Sequence, residues 1–173
     1  AVARPLGHRD PARRHRALGL EATLARAVGM FAIALWHRPS RTLHLARDRF
    51  GEKPLYYGWV GGAGEPAFVF GSELKALRRH PGFDNPVQRE ALALYLRYLY
   101  VPAPHTIHRG LFKLEPGCLL SLRAPVPAQP AGPLRPGASH GTLQLRRWWS
   151  LTEAAGAGAA DPLPDDAATL DLL

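Results

Sequence analysis

Met30-Phe31-Ala32-Ile33-Ala34-Leu35-Trp36, followed after a short gap by Thr42-Leu43-His44-Leu45-Ala46, is the stretch that decides the fold. The first run is uninterrupted, apolar and rich in aromatic and branched side chains. It is too short for a typical helix and is closed by Pro39 and Ser40, which mark a turn, so it predicts a buried strand. Thr42 to Ala46 alternates in side-chain type and follows at once, so the two read as a hairpin. Outward along the chain, Leu55 to Val60 and Ala67 to Phe70 read as further strands, separated by a loop with Gly61, Gly62 and Gly64. Four antiparallel strands in succession suggest a meander.

Helices frame these strands. Glu21 to Ala27 carries helix formers, with Gly19 as a weak point before it. Glu73 to His80 reads as a helix stopped by Pro81 and Gly82, with Ser72 as its cap and Glu73 as an early acid that favours the dipole. Arg89 to Tyr98 places Leu92, Leu96 and Leu99 at helical spacing and is ended by Pro102 and Pro104. The turn Glu115-Pro116-Gly117 leads into a last strand, Cys118 to Leu122. The class is α+β, mainly antiparallel strands with short helices.

At 173 residues and 46% hydrophobic, the chain holds enough apolar material for one compact domain. Residues 1–17, with Pro5, Gly7 and Pro11, suit a disordered lead-in. The body spans 18–123. Residues 124–164 read as a Pro/Gly/Ala-rich linker, because Ala124 to Gly141 has too few large apolar residues to offset its chain entropy. A strand is expected within 143–149. Gly156 to Pro164 reads as loose again, and Asp165 or Asp166 begins a helix within 165–173.

A net charge of +8 admits nucleic acid as a partner. No interleaving of basic and aromatic residues and no zinc-finger or helix-turn-helix signature supports one, so none is expected. The single cysteine, Cys118, permits no intrachain disulfide and no cysteine-based metal site. Neither a signal peptide nor an apolar run near the ~20 residues of a membrane span is visible, so a soluble, cytoplasmic protein without membrane contact is expected.

Few residues invite a chemical role on their own. Cys118 sits in an apolar strand, where cysteine behaves as a small hydrophobe. Asp48 and Glu52, among Arg47, Arg49 and Lys53, suit ion pairing and turn formation better than acid–base work. Ser72 lacks the glycine-flanked elbow of a serine hydrolase. The eight histidines contain no His-x-x-x-His pair, so no metal is expected. Trp148 and Trp149 read as anchors that pin the chain beyond the linker to a neighbouring domain.

Larger blocks say more. Gly29-Met30-Phe31-Ala32-Ile33-Ala34-Leu35-Trp36, then Leu45-Ala46-Arg47-Asp48-Arg49-Phe50-Gly51-Glu52-Lys53-Pro54-Leu55-Tyr56-Tyr57, then Phe70-Gly71-Ser72-Glu73-Leu74-Lys75-Ala76-Leu77 closely resemble consecutive blocks of the asparagine synthase family. Ala93 to Pro104, Thr106-Ile107-His108-Arg109-Gly110, Lys113-Leu114 and Pro116-Gly117 continue the likeness, which resumes at Trp149-Ser150-Leu151.

The resemblance implies a partial α-β-β-α sandwich of the N-terminal nucleophile hydrolase type, from a two-part enzyme. One part releases ammonia from glutamine. A synthetase domain in cis, beginning near 165–173, spends ATP with Mg²⁺ to activate aspartate for attack by that ammonia. No cofactor is implied for this chain itself, and a homodimer is compatible with the family.

The family's nucleophile is a cysteine at the mature N-terminus, whose own amine serves as base. Ala1 stands first here, so no catalytic residue is assigned and the chain alone is expected to be inactive. Gly7-His8-Arg9-Asp10 resembles the start of the run whose aspartate holds the α-amino group of glutamine, which makes Asp10 a substrate-binding candidate. The likeness decays after it, so residues before Leu18 are expected to be partly out of frame or to follow from a wrong start. Met30 aligns with a methionine that lines the ammonia passage in the complete enzyme, and core packing alone would also put an apolar thioether there. A non-catalytic alternative is a glutaminase-like module that docks on a synthetase domain through the surface around Tyr98 to Gly110.

Overall fold

A computed structural model describes residues 19–61 and 66–161. Eight strands and four helices follow in the order α1 (Leu20–Ala25), β1 (Ala32–His37), β2 (Thr42–Arg47), β3 (Tyr56–Val60), β4 (Ala67–Gly71), α2 (Leu74–Leu77), α3 (Arg89–Tyr98), β5 (Leu111–Lys113), β6 (Cys118–Arg123), β7 (Ser139–His140), β8 (Leu143–Arg147) and α4 (Leu151–Ala160). Every strand pairing is antiparallel.

The predicted hairpin forms, β1 with β2, and the next two strands, β3 and β4, pair as a second one. They do not form a meander. β2 pairs with β6, giving a five-stranded sheet ordered β1-β2-β6-β8-β7, while β3 joins a three-stranded sheet ordered β4-β3-β5. The reason lies in period-two alternation, which gives each hairpin one inward apolar row. Leu43 and Leu45 on β2 need a facing layer more than a neighbouring strand, and Tyr57, Trp59 and Phe68 of the second hairpin supply it.

The principal core therefore lies between the sheets. Leu45, Leu120, Leu122, Leu143 and Leu145 of one sheet meet Tyr57, Trp59 and Phe112 of the other, with cross-strand matches Leu45 to Leu120, Leu120 to Leu145 and Tyr57 to Phe112. Each fully buried leucine contributes roughly 1.5–3 kcal/mol. On the far side of the larger sheet, Leu20 and Leu24 of α1 pack on Ile33, Ala46 and Leu119. On the far side of the smaller one, Leu74 and Leu77 of α2 pack with Val60, Val69 and Leu111. Helix, sheet, sheet, helix is the α-β-β-α layering expected.

Several details differ from the sequence reading. β1 is half-buried rather than buried, with Trp36 50% exposed. It is the terminal strand of its sheet, and the inner row at its far end faces an open groove. Ser72 does not cap α2; Glu73 takes that position without a side-chain bond and pairs with Lys75 instead at 2.7 Å.

The stretch 124–141 is anchored rather than loose. Leu134 enters the core, Trp59 Nε1 donates to the Pro127 carbonyl at 3.0 Å, Ala124 N donates to Arg41 O at 3.1 Å, and Gly137 N donates to Leu145 O at 2.8 Å. Prolines leave this segment less entropy to lose on ordering, so few anchors suffice. The predicted strand at 143–149 appears as β8 inside the larger sheet. Residues 151–160, half of them expected to be loose, form α4, where Ser150 Oγ accepts Glu153 N at 3.4 Å. Alanine-rich propensity and that cap outweigh Gly156 and Gly158 at about 1 kcal/mol each. Asp10 and the helix expected from Asp165 or Asp166 lie outside the described residues. No described helix is long and apolar enough to cross a membrane.

Candidate functional site

Strand β2 ends on Arg47, and the chain then turns through residues 48–53 before entering β3. Asp48 is 1% exposed and holds that turn. Its Oδ1 accepts Glu52 N at 2.8 Å, and its Oδ2 accepts Lys53 N at 3.0 Å and Phe31 N at 3.3 Å. Burial works to raise its pKa. The N–H groups of Lys53, Glu52, Phe31 and Gly51 outweigh burial and hold the carboxyl below its ordinary value. A carboxylate saturated in this way has no lone pair directed at a substrate. Of the two roles expected for Asp48, turn formation is the one realised, with backbone amides as its partners.

Arg47 braces the same turn from below. Its Nε donates to Lys53 O at 2.8 Å, its Nη1 to Leu114 O at 2.6 Å, and its Nη2 to Gly51 O. Burial lowers its pKa, opposed by the neighbouring Asp48 charge. Gly51 has φ +70°, and a Cβ there would fall 2.7 Å from Pro116 Cγ, so the turn accepts only glycine at that point. These contacts lock the first hairpin to the second.

Arg49 points the other way. Its Nη1 donates to Ala27 O at 2.5 Å and its Nη2 to Ala25 O at 2.7 Å, covering the carbonyl of the last residue of α1 and one just beyond its C-cap. Its guanidinium also lies 5.3 Å from the Trp148 ring centre, and Trp148 stacks on Phe31 at 6.1 Å. Trp149 meets Phe50 edge-on at 5.2 Å. Both tryptophans are anchors, as expected, but the surface they grip belongs to this same body. No local pattern announced the reach of Arg47 and Arg49; the only available signal was two arginines flanking an aspartate directly after a strand.

Between α1 and β1, residues 26–31 carry Met30, which is 57% exposed, and Val28, which is 93% exposed. Cys118 is fully buried, and burial pushes its thiol up to about 11. It packs in the core between the two sheets. A second feature is an open apolar groove of about 350 Å³ between the terminal strands β1 and β4, lined by Trp36, Leu43, Phe68, Phe70, Leu122 and Val126. A third is the outer face of α3, where Leu92, Leu96 and Leu99 are 44%, 78% and 81% exposed. Among the described residues no group of three or more His, Cys, Asp or Glu side chains is placed to hold a metal ion.

A family model described as a glutamine amidotransferase domain matches residues 12–128. A Mycobacterium bovis protein named "Putative asparagine synthetase", glutamine-hydrolyzing, is 45% identical over 104 residues, covering 58% of this chain and 15% of that protein. Glutamine-hydrolyzing asparagine synthetase 1 of Bacillus subtilis is 35% identical over 103 residues, covering 60% of this chain and 16% of its own length. Asparagine synthetase 3 of the same organism is 35% identical over 94 residues, 54% of this chain and 15% of its own. The chain thus spans about a sixth of the curated relatives it matches. The matched residues include both hairpins, the braced turn between them and the core side chains up to Leu122, and the chain belongs to the glutamine amidotransferase domain family.

Proposed function

We propose that this chain is part of a glutamine-hydrolysing asparagine synthase, in which ammonia released from glutamine is used with ATP to convert aspartate to asparagine. The observation that carries this reading is the match of the amidotransferase family over 12–128, which takes in both hairpins, β5, β6 and the helices packed on the two sheets, accompanied by likeness to asparagine synthetases. Within that reading Asp10 holds the α-amino group of glutamine, and Met30, exposed at the end of the α1–β1 connection, lines the passage that hands ammonia on.

The chain supplies neither of the two reactive ends. Its sole cysteine is sealed in the core, so a cysteine nucleophile must come from another segment of the enzyme. ATP and Mg²⁺ do not fit the residues present: the sequence has no Ser-Gly-Gly-x-Asp-Ser loop, and the described residues offer no carboxylate cluster. Both groups are assigned to the synthetase domain in cis, as is the aspartate site. A homodimer remains compatible with the family, and the lone buried thiol suits a reducing cytoplasm.

The test compares two proteins. The product of the complete gene, given glutamine, aspartate, ATP and Mg²⁺, is expected to release glutamate and form asparagine, while the 173-residue chain alone does neither. Glutamate release by the chain alone would sink the missing-nucleophile assignment. Transfer of ammonia to a carboxylate other than aspartate would replace the named product. The exposed face of α3 favours a second reading, a non-catalytic module that docks on a synthetase domain. Stable binding to a separately made synthetase domain, with no glutaminase activity in the complete protein, would select it.

A further inference from the structure

β1 ends the larger sheet, and among the described residues no strand lies beyond it. Its register on β2 sets Ala34 opposite Leu45 and Trp36 opposite Leu43, so Ala32, Ala34 and Trp36 form its inner row and Ile33 and Leu35 its outer one. Backbone polar groups alternate in direction along an antiparallel strand. Asp48 N donates to Phe31 O at 3.0 Å, so Phe31 faces β2, and by alternation the N–H and C=O of Ala32, Ala34 and Trp36 turn to the open side. Ala34 and Trp36 are also the exposed side chains of the strand.

This edge is complementary to itself. A second copy laid antiparallel along it, with Ala34 opposite the partner's Ala34, sets Trp36 opposite the partner's Ala32 and Ile33 opposite the partner's Leu35. Each outward-facing residue then exchanges its backbone hydrogen bonds with another outward-facing one. On the inner row the large indole meets a small methyl, and on the outer row two branched apolar side chains meet, pairings that stabilise antiparallel strands. A shift of one residue would turn these polar groups toward residues that face β2, and a shift of two would leave one of them beyond the paired stretch. Ala32 to Trp36 carries no charge, so no like charges meet along the seam.

The area is sufficient for a weak, specific contact. Trp36, Phe70 and Val126 beside the groove are 50%, 41% and 47% exposed. With the strand backbone and Ala34 they offer on the order of 500 Å² per copy, so a pair buries about 1,000 Å², the lower bound of a specific interface. We propose that two copies of this chain pair through β1 about a two-fold axis at Ala34, joining their five-stranded sheets into one and covering the β1 side of each apolar groove. The pairing depends on no reading of the reaction.

The test uses the 173-residue chain carrying Ala34→Cys or, separately, Ala32→Cys, under mild oxidation and read on a non-reducing gel. Cys118, the native thiol, is fully buried and does not compete. Across the two-fold axis the substituted 34 positions lie about 5.5 Å apart at Cα, within disulfide reach, whereas the 32 positions are offset by roughly 13 Å along the strands. Ala34→Cys is therefore expected to give at least about tenfold more linked dimer than Ala32→Cys. Sedimentation of the unsubstituted chain should show a monomer–dimer equilibrium that strengthens with added salt, because each copy carries a net charge of +8. Equal linking at the two positions, or a dimer that Ala34→Cys does not link, overturns the proposal. If Ala34→Cys does not fold, the unsubstituted chain still decides: a species that stays monomeric up to its solubility limit overturns the pairing, and slow exchange of the Ala34 amide in that monomer would show that another segment of the same chain covers the edge.

Discussion

At the scale of single residues, the molecule is organised by a few side chains that reach far along the sequence. Asp48 shows the energetic logic. Its carboxyl is held below its ordinary value in the folded chain, so its contribution is present above the unfolded value near pH 4 and is lost as pH falls through the folded one. Acid titration from pH 6 to 2 should therefore unfold the chain progressively below about pH 4. Asp48→Asn, which loses a charged acceptor for three amides, should cost about 1–3 kcal/mol at neutral pH and flatten that acid limb. An equally steep acid limb in the variant would place the responsible carboxyl elsewhere. Gly58 makes a steric counterpart: a Cβ there would lie 2.1 Å from the Gly110 carbonyl oxygen, which accepts Trp59 N at 3.1 Å. Gly58→Ala should destabilise by about 2 kcal/mol or more in denaturant melts, because backbone rather than a flexible side chain must yield.

At the scale of elements, strands were legible where local period and turn chemistry agreed. Met30 to Trp36 and Thr42 to Ala46 announce a hairpin because both the pattern and its turn lie within a few residues. The choice between a meander and two facing sheets was not legible there, since it depends on Leu45 meeting Leu120 seventy-five positions away. Ser150-Leu151-Thr152-Glu153 carried a readable capping signature for α4 that composition alone concealed. The grip of Arg49 on the carbonyls of Ala25 and Ala27 left no periodic trace at all, because a guanidinium that binds carbonyls needs no matching side chain. The stretch 124–141 failed for a related reason: its proline and glycine content describes the free chain, while its placement comes from Leu134 and from the Trp59 indole. Leu134→Ala should accordingly lower stability by about 2–4 kcal/mol, as deletion of a core side chain does. A change near zero in denaturant melts would return this segment to the status of a linker.

For the whole molecule, the two ends of the sandwich differ, and the difference predicts behaviour. On one side the sheets finish with β7 and β5, strands of two and three residues. On the other they finish with β1 and β4, strands of six and five residues, with the apolar groove between them. Ala32 to Trp36 contains no charge, proline or glycine to discourage pairing, and an unprotected apolar edge of this kind templates association. The chain prepared alone should therefore self-associate through β1 and the groove. Sedimentation at increasing concentration should show growth beyond the monomer, and Trp36→Glu, which charges an already half-exposed inner-row position, should suppress it without loss of the α-β-β-α body. Hydrogen exchange offers the second readout: amides of β1 should exchange faster than those of β6, which is flanked by β2 and β8. Equal protection across Met30 to Leu122 in a monomer would show that the open side needs no cover.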